Sequence, residues 1–203
     1  MNRFISKIFI DGGDPAETIE ARQLLGYIDG QTTNPTLISK NPEVQAALAR
    51  GEKFTEKQAY GFYKKVVEEI SKIVDWSVSI ETYSDKNTTA EEMLSQAGEM
   101  SGWIHKAWIK FPTTHAGLQA ASEAIKEGMR VNMTLCFSQE QAAAIYSATK
   151  GAKEPVFVSP FVGRLDDRGE NGMELIKNIL KMYDKSDGHV WTLTASVRNL
   201  NHL

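Results

Sequence analysis

The sequence predicts an α/β chain folded as a (β/α)8 TIM barrel. Short β-rich runs recur between longer helical patterns, and those helical patterns open with capping chemistry. A third observation bears on function: the chemically capable residues fall at strand ends, and in such a barrel the C-terminal strand ends build the active site.

The strand runs are Lys7 to Ile10, Tyr27 to Gln31, Trp76 to Ile80, Ala107 to Phe111, Val131 to Leu135, Val156 to Ser159 and Val190 to Thr194. Between them, Asp14-Pro15 sets an N-cap before a proline at the first helical position. Thr55-x-x-Gln58, Thr89-x-x-Glu92 and Ser138-x-x-Gln141 read as capping boxes. Alternating strands and helices imply a parallel sheet, either open and doubly wound or closed into a barrel. No G-x-G-x-x-G or G-x-x-x-x-G-K-[ST] motif follows a strand, which favours the barrel. The stretch from Ser39 to Lys53, punctuated by Asn41-Pro42 and Gly51, is expected to be a long inserted connection. The chain reads as a single domain over 1–203 that stops after the seventh predicted strand, without a C-terminal eighth strand and terminal helices.

Composition narrows the function. At 203 residues, 41% hydrophobic and 24% charged, the chain is long enough to bury a core. A net charge of -3 leaves no basic surplus for nucleic acid or anionic lipid, so the expected partner is a small molecule. The opening Met1 to Ile10 lacks a signal-peptide pattern and no apolar run is long enough to span a membrane, so the expected location is cytoplasmic. Cys136 is the only cysteine, and His105, His115, His189 and His202 show no metal-ligand spacing; no metal or cofactor is expected.

Strands of a parallel sheet usually read as continuous apolar runs, but three here do not. Side chains two apart share a face, which groups Ser77 with Ser79 and Glu81, Asn132 with Thr134 and Cys136, and Thr192 with Thr194, Ser196 and Arg198. If the apolar faces meet helices, these polar faces turn inward, where each unpaired polar group costs roughly 1 to 3 kcal/mol. A polar ligand with ordered water would satisfy them. The alternative is an antiparallel sheet with one wet face.

Lys110 lies within the apolar run Ala107-Trp-Ile-Lys-Phe-Pro112. An ammonium there is poorly solvated, which favours the neutral amine, and a neutral amine can attack a ketone and become an electron-withdrawing iminium. Periodicity alone favours a lysine snorkelling to solvent from a strand end.

Six segments in order carry a more specific signal: Phe9-Ile-Asp11-Gly-Gly, Asp29-Gly-Gln-Thr-Thr-Asn-Pro35-Thr-Leu-Ile, Ile109-Lys110-Phe-Pro-Thr-Thr, Val131-Asn-Met-Thr-Leu-Cys-Phe-Ser138, Ser159-Pro-Phe-Val-Gly-Arg164-Leu-Asp-Asp and Ala195-Ser-Val-Arg198-Asn. From about residue 7 onward the chain resembles the transaldolase family, class I Schiff-base aldolases that include small transaldolases and fructose-6-phosphate aldolases. The resemblance implies that Lys110 forms the Schiff base and Asp11 is the general acid-base for the C4 hydroxyl. Glu81 and Thr134 match the pair that holds a water for proton shuttling. Asn34 and Asn132 match the amides that bind the three-carbon unit's hydroxyls, an arrangement suited to groups that both donate and accept.

By the same resemblance, Arg164, Ser196 and Arg198 bind the sugar's phosphate, for which guanidinium forks are suited. Ser159 and Phe161 line the site. Phe161 leans the expectation towards transfer, because the branch releasing dihydroxyacetone resembles this sequence except for a tyrosine there. Thr33 and Pro35 are read as structural, and Cys136 as a small buried thiol. The implied activity is transaldolase, moving a dihydroxyacetone unit between sugar phosphates in the pentose phosphate pathway. The alternatives are a fructose-6-phosphate aldolase and an inactive barrel serving binding or assembly. Small members of the family often form rings through C-terminal helices, the region this chain lacks, so the resemblance leaves a homo-oligomer open without implying one.

Overall fold

The computed structural model describes residues 6–202. The expectation about the Met1 to Ile10 opening therefore falls partly outside the described residues, as does the end of the 1–203 domain. In chain order the elements are β1 (Phe9–Asp11), α1 (Pro15–Leu25), β2 (Gly30–Thr32), α2 (Pro35–Ser39), α3 (Pro42–Ala49), α4 (Glu56–Ser71), β3 (Ser77–Glu81), α5 (Ala90–Ser101) and β4 (Ala107–Pro112). There follow α6 (His115–Lys126), β5 (Val131–Cys136), α7 (Gln139–Ala148), β6 (Val156–Pro160), α8 (Val162–Asp166), α9 (Gly172–Tyr183), β7 (Val190–Thr192) and a 3-10 turn at Leu200–His202.

One seven-stranded sheet takes the order β1-β2-β3-β4-β5-β6-β7, with helices between consecutive strands. The pairs β1–β2, β2–β3, β5–β6 and β6–β7 are parallel. This is the strand sequence of the (β/α)8 TIM barrel that the alternation predicts. Ser77 to Ile80 and all of β4 are buried, so neither strand has the wet face of the antiparallel alternative.

The chain resolves into two compact units. The first runs to Tyr83 and adds Gly98–Ile109; the second comprises Ser84–Ala97 and the chain from Lys110 onward.

In the first unit, Asp14 caps α1 through the Ala16 amide at 2.9 Å, and Gly26 in the left-handed region ends it. The Thr55/Gln58 capping box of α4 is complete, and its buried Tyr63, Val66, Val67 and Ile70 pack on β3. The stretch from Ser39 to Lys53 is not a loose connection. Asn41 caps α3 through the Glu43 amide, Pro42 takes the first helical position, and Asn41 Nδ2 donates to the Gly13 carbonyl at 2.8 Å. Asn-Pro, read as punctuation, is here helix-start chemistry. The first two strands also begin later than expected, because the buried Asp29 carboxylate takes the Ile8 amide at 2.8 Å before the ladder starts.

In the second unit, the Thr89/Glu92 box forms in both directions. The third predicted box is only half formed. Ser138 accepts the Gln141 amide, but the Gln141 side chain takes the Phe137 amide at 2.7 Å and donates to the Thr113 carbonyl.

Register decides which side chains share a face. In the first unit Phe9 pairs with Gly30 and Asp11 with Thr32, while Gly30 pairs with Ser77 and Thr32 with Ser79. Asp11, Thr32 and the Ser77-Ser79-Glu81 row therefore share one face, as parity predicts for β3. In the second unit Asn132 pairs with Phe157 and Phe157 with Trp191, whereas Met133 pairs with Val158 and Val158 with Thr192.

Two parity expectations fail there. Thr192 lies on the Met133 face rather than with the polar row, because a strand read alone has two equivalent parities and only its neighbour's register selects one. Cys136 also leaves the Asn132-Thr134 face. Leu135 adopts φ 59°, and Cys136 pairs with Pro160, so β5 uses three residues where β6 uses two. This β-bulge returns Cys136 to the Met133 face. β7 stops at Thr192, with one later bridge between Phe161 and Ala195.

Candidate active site

In the first unit Asp11 is the last residue of β1 and is exposed; its Oδ1 accepts the Thr32 hydroxyl at 2.6 Å. Glu81 ends β3 half-buried, and its amide donates to Tyr63 Oη at 3.0 Å. Asn34 follows β2 and caps the short α2, its Oδ1 accepting the Leu37 amide at 2.9 Å. That role occupies the carbonyl end of the amide and leaves Nδ2 to donate elsewhere. Among these residues, sequence reasoning missed Tyr63. It sits on an ordinary amphipathic helix, where an aromatic reads as core.

In the second unit Lys110 lies within β4 and is only 4% exposed. Asn132, Thr134 and Ser159 are also buried, and Ser159 Oγ donates to Asn132 Oδ1 at 2.9 Å. This bond orients the amide, so that its Nδ2 points as a donor away from Ser159.

The Thr134 hydroxyl is buried without a hydrogen-bond partner. Its carbonyl is well used, accepting the Thr113 amide at 2.8 Å and the Thr113 hydroxyl at 2.6 Å. An orphaned buried hydroxyl is costly and uncommon, and such groups mark places that water or ligand completes. Ser77 and Thr192 carry the other buried unpartnered hydroxyls among the described residues.

Phe161 caps α8 without a side-chain bond and belongs to a stack that the sequence did not announce. The Arg164 guanidinium lies 4.8 Å over the Phe161 ring, Phe161 is 5.8 Å from Phe137, and Arg168 lies 5.2 Å over Phe137. Cation–π contacts of this kind hold both arginines and rings in place.

Ser196 adopts φ 59°, and its carbonyl accepts the Gly163 amide at 3.0 Å. A Cβ on Gly163 would stand 2.4 Å from that carbonyl and 2.7 Å from Arg198 Nε, so only glycine lets the segment lie this close. Arg198 donates to Asp167 at 2.5 Å and through its amide to His202 Nδ1 at 3.2 Å. The buried His202 also contacts Asp166 at 2.7 Å. The Gly172 amide, and then His202, hold the Asp166 carboxyl below its ordinary range.

Burial pushes the Cys136 thiol up to about 11, in keeping with an inert structural cysteine. Among the described residues no helix is long and apolar enough to cross a membrane.

The family described as Transaldolase/Fructose-6-phosphate aldolase matches residues 8–203. The chain is similar to a protein of Brucella ovis described as probable transaldolase, 41% identical over 197 residues that cover 97% of this chain and 78% of that protein. Proteins of the same description from Dinoroseobacter shibae and Dehalococcoides mccartyi are each 38% identical over 197 residues. They are covered to 78% and 79% of their lengths and cover 97% of this chain.

Proposed function

The chain belongs to the transaldolase/fructose-6-phosphate aldolase family, and on that premise we propose that it transfers a dihydroxyacetone unit from a ketose phosphate to an aldose phosphate through a Schiff base on Lys110. The observation that carries this reading is a lysine buried within β4 of a barrel of this family, on the strand motif that resembles the family's Schiff-base site.

The Lys110 amine adds to the C2 carbonyl of a ketose such as fructose 6-phosphate or sedoheptulose 7-phosphate. Loss of water gives an iminium. Glu81 and Thr134 hold the water that carries protons in this step. The unpartnered Thr134 hydroxyl supports its share of that role, since it has hydrogen-bonding capacity that the protein leaves unused.

Asp11 then takes the proton of the C4 hydroxyl, the C3–C4 bond breaks, and its electron pair enters the iminium to give an enamine. The aldose phosphate departs. The enamine attacks the aldehyde of a second aldose phosphate, Asp11 returns the proton to the new hydroxyl, and hydrolysis frees the product ketose and the amine.

Asn34 and Asn132 bind the hydroxyls of the retained three-carbon unit. Arg164, Ser196 and Arg198 take the phosphate, and Ser159 and Phe161 line the site. Sugar phosphates as the substrates complete the reading.

Borohydride reduction with fructose 6-phosphate, followed by peptide mass mapping, tests the mechanism. The expected result is a three-carbon adduct on Lys110; an adduct elsewhere, or none in folded protein, overturns it. Incubation with fructose 6-phosphate alone separates the family's two activities. Sustained release of free dihydroxyacetone would assign the aldolase instead, contrary to the expectation from Phe161.

A further inference from the structure

The phenol of Tyr63 lies between the ends of two strands. Tyr63 projects from α4, is 4% exposed, and is held edge-on by Trp103 at 5.7 Å between ring centroids. Its Oη accepts the Glu81 amide at 3.0 Å and lies 2.7 Å from Thr33 Oγ1. Thr33 Oγ1 is in turn 2.7 Å from the Ser79 carbonyl, which can only accept. The protons are therefore assigned along the relay: Thr33 donates to Ser79, and Tyr63 donates to Thr33.

The relay occupies a gap in the sheet. Odd-numbered positions of β3 face β2: the Ser77 amide donates to the Asp29 carbonyl, and the Thr33 amide donates to the Ser79 carbonyl. Glu81 is the next odd position. β2 has ended at Thr32, and Asn34 has already turned into α2. Where the ladder would continue, the Tyr63 hydroxyl accepts the Glu81 amide.

One phenol thus fixes the backbone of Glu81 and, through Thr33, the turn that presents Asn34. Burial, and after it the nearby Glu81 and Asp11 charges, push the Tyr63 phenol above its ordinary value, which keeps its proton in place for Thr33.

We propose that Tyr63 is a positioning residue for the carbon–carbon bond chemistry, setting the placement of Glu81 and of the Thr33-Asn34 turn without touching substrate. This rests on the proposed role of Glu81 in proton transfer. A residue that only fills the core would affect stability alone; one that places Glu81 affects the rate of Schiff-base formation while leaving phosphate recognition by Arg164 and Arg198 intact.

The test uses the whole chain and compares Tyr63→Phe, Thr33→Val and Thr33→Ser with wild type. Steady-state kinetics with fructose 6-phosphate and an aldose phosphate acceptor are measured beside the rate of borohydride-trapped adduct. Tyr63→Phe and Thr33→Val are each expected to lower kcat and adduct formation about tenfold, with KM for fructose 6-phosphate held within about twofold. Thr33→Ser, which keeps the hydroxyl, restores most of the rate. Tyr60→Phe changes a neighbouring phenol that also meets Trp103, at 5.8 Å, and is expected to leave kcat within about twofold.

Wild-type rates in folded Tyr63→Phe and Thr33→Val overturn the proposal, as does an equal loss in Tyr60→Phe. If Tyr63→Phe does not fold, the Thr33→Val and Thr33→Ser pair decides alone. Absence of an adduct in wild type instead overturns the functional reading on which the proposal rests, so the two failures are distinguishable.

Discussion

The ends of β2 and β3 and the ends of β5 and β7 solve the same problem in opposite ways. Around Glu81, the hydroxyls of Thr32, Thr33 and Tyr63 all have partners, and the backbone stays in ordinary conformations. Around Thr134 and Ser196, a buried hydroxyl has no partner, and Leu135 and Ser196 both sit at φ 59°. Strain and unmet hydrogen bonds often mark functional sites; in the first unit the unpartnered hydroxyl of Ser77 lies at the start of β3, away from these strand ends. The first region is a closed hydrogen-bonded frame beside Asp11 and the Glu81 backbone; the second leaves hydrogen-bonding capacity that the protein itself does not use.

The sharpest way to break this comparison is Gly163→Ala. Its new Cβ would meet the Ser196 carbonyl at 2.4 Å. The expected cost is about 2 to 3 kcal/mol, seen as a lower denaturation midpoint, with a raised KM for phosphorylated sugars as the Arg198 segment shifts. A variant as stable as wild type would mean that the close approach is not required.

Next come paired threonine changes measured by urea unfolding. Thr33→Val removes a hydroxyl with two partners and should cost about 1 to 3 kcal/mol. Thr134→Val removes one with none and should be near neutral or stabilising, while transfer activity falls. Equal losses of stability would erase the distinction between the two regions.

A smaller gain is expected from Ser196→Gly. Relief of the left-handed conformation should stabilise by up to about 1 kcal/mol, at the expense of affinity for the sugar phosphate.

The smallest effect concerns pH. Because burial raises the Cys136 thiol to about 11, the folded state keeps its proton where an unfolded thiol has already lost it. The associated stability is fully present below the ordinary thiol value and is lost as pH rises towards 11. Alkylation in mildly alkaline buffer should therefore be slow in folded protein and fast once it is unfolded.

The barrel was legible because alternation and capping are local signals: Asp14, Thr55 and Thr89 cap as their spacing says. The positions of Asp11, Glu81 and Lys110 in or at the ends of strands were legible for the same reason. What escaped depends on neighbours. Thr192 faces away from the polar row because Val158 sets its register, and Ser39 to Lys53 proved helical because Asn41 also ties to Gly13. Tyr63 could not be told from a core aromatic, since its meaning lies in two bonds to residues 30 and 18 positions away. Leu135 gave no hint of a bulge, as nothing marks a leucine as left-handed.

That one extra residue in β5 also sorts incompatible chemistry. Along a regular strand Cys136 would follow Asn132 and Thr134 onto their face. In the reaction proposed above, a thiol on that face would meet the aldehydes of the aldose phosphates, which thiols capture as hemithioacetals. By placing Leu135 in the bulge, the chain keeps its single thiol buried on the Met133 face, level with Val158 and Pro160.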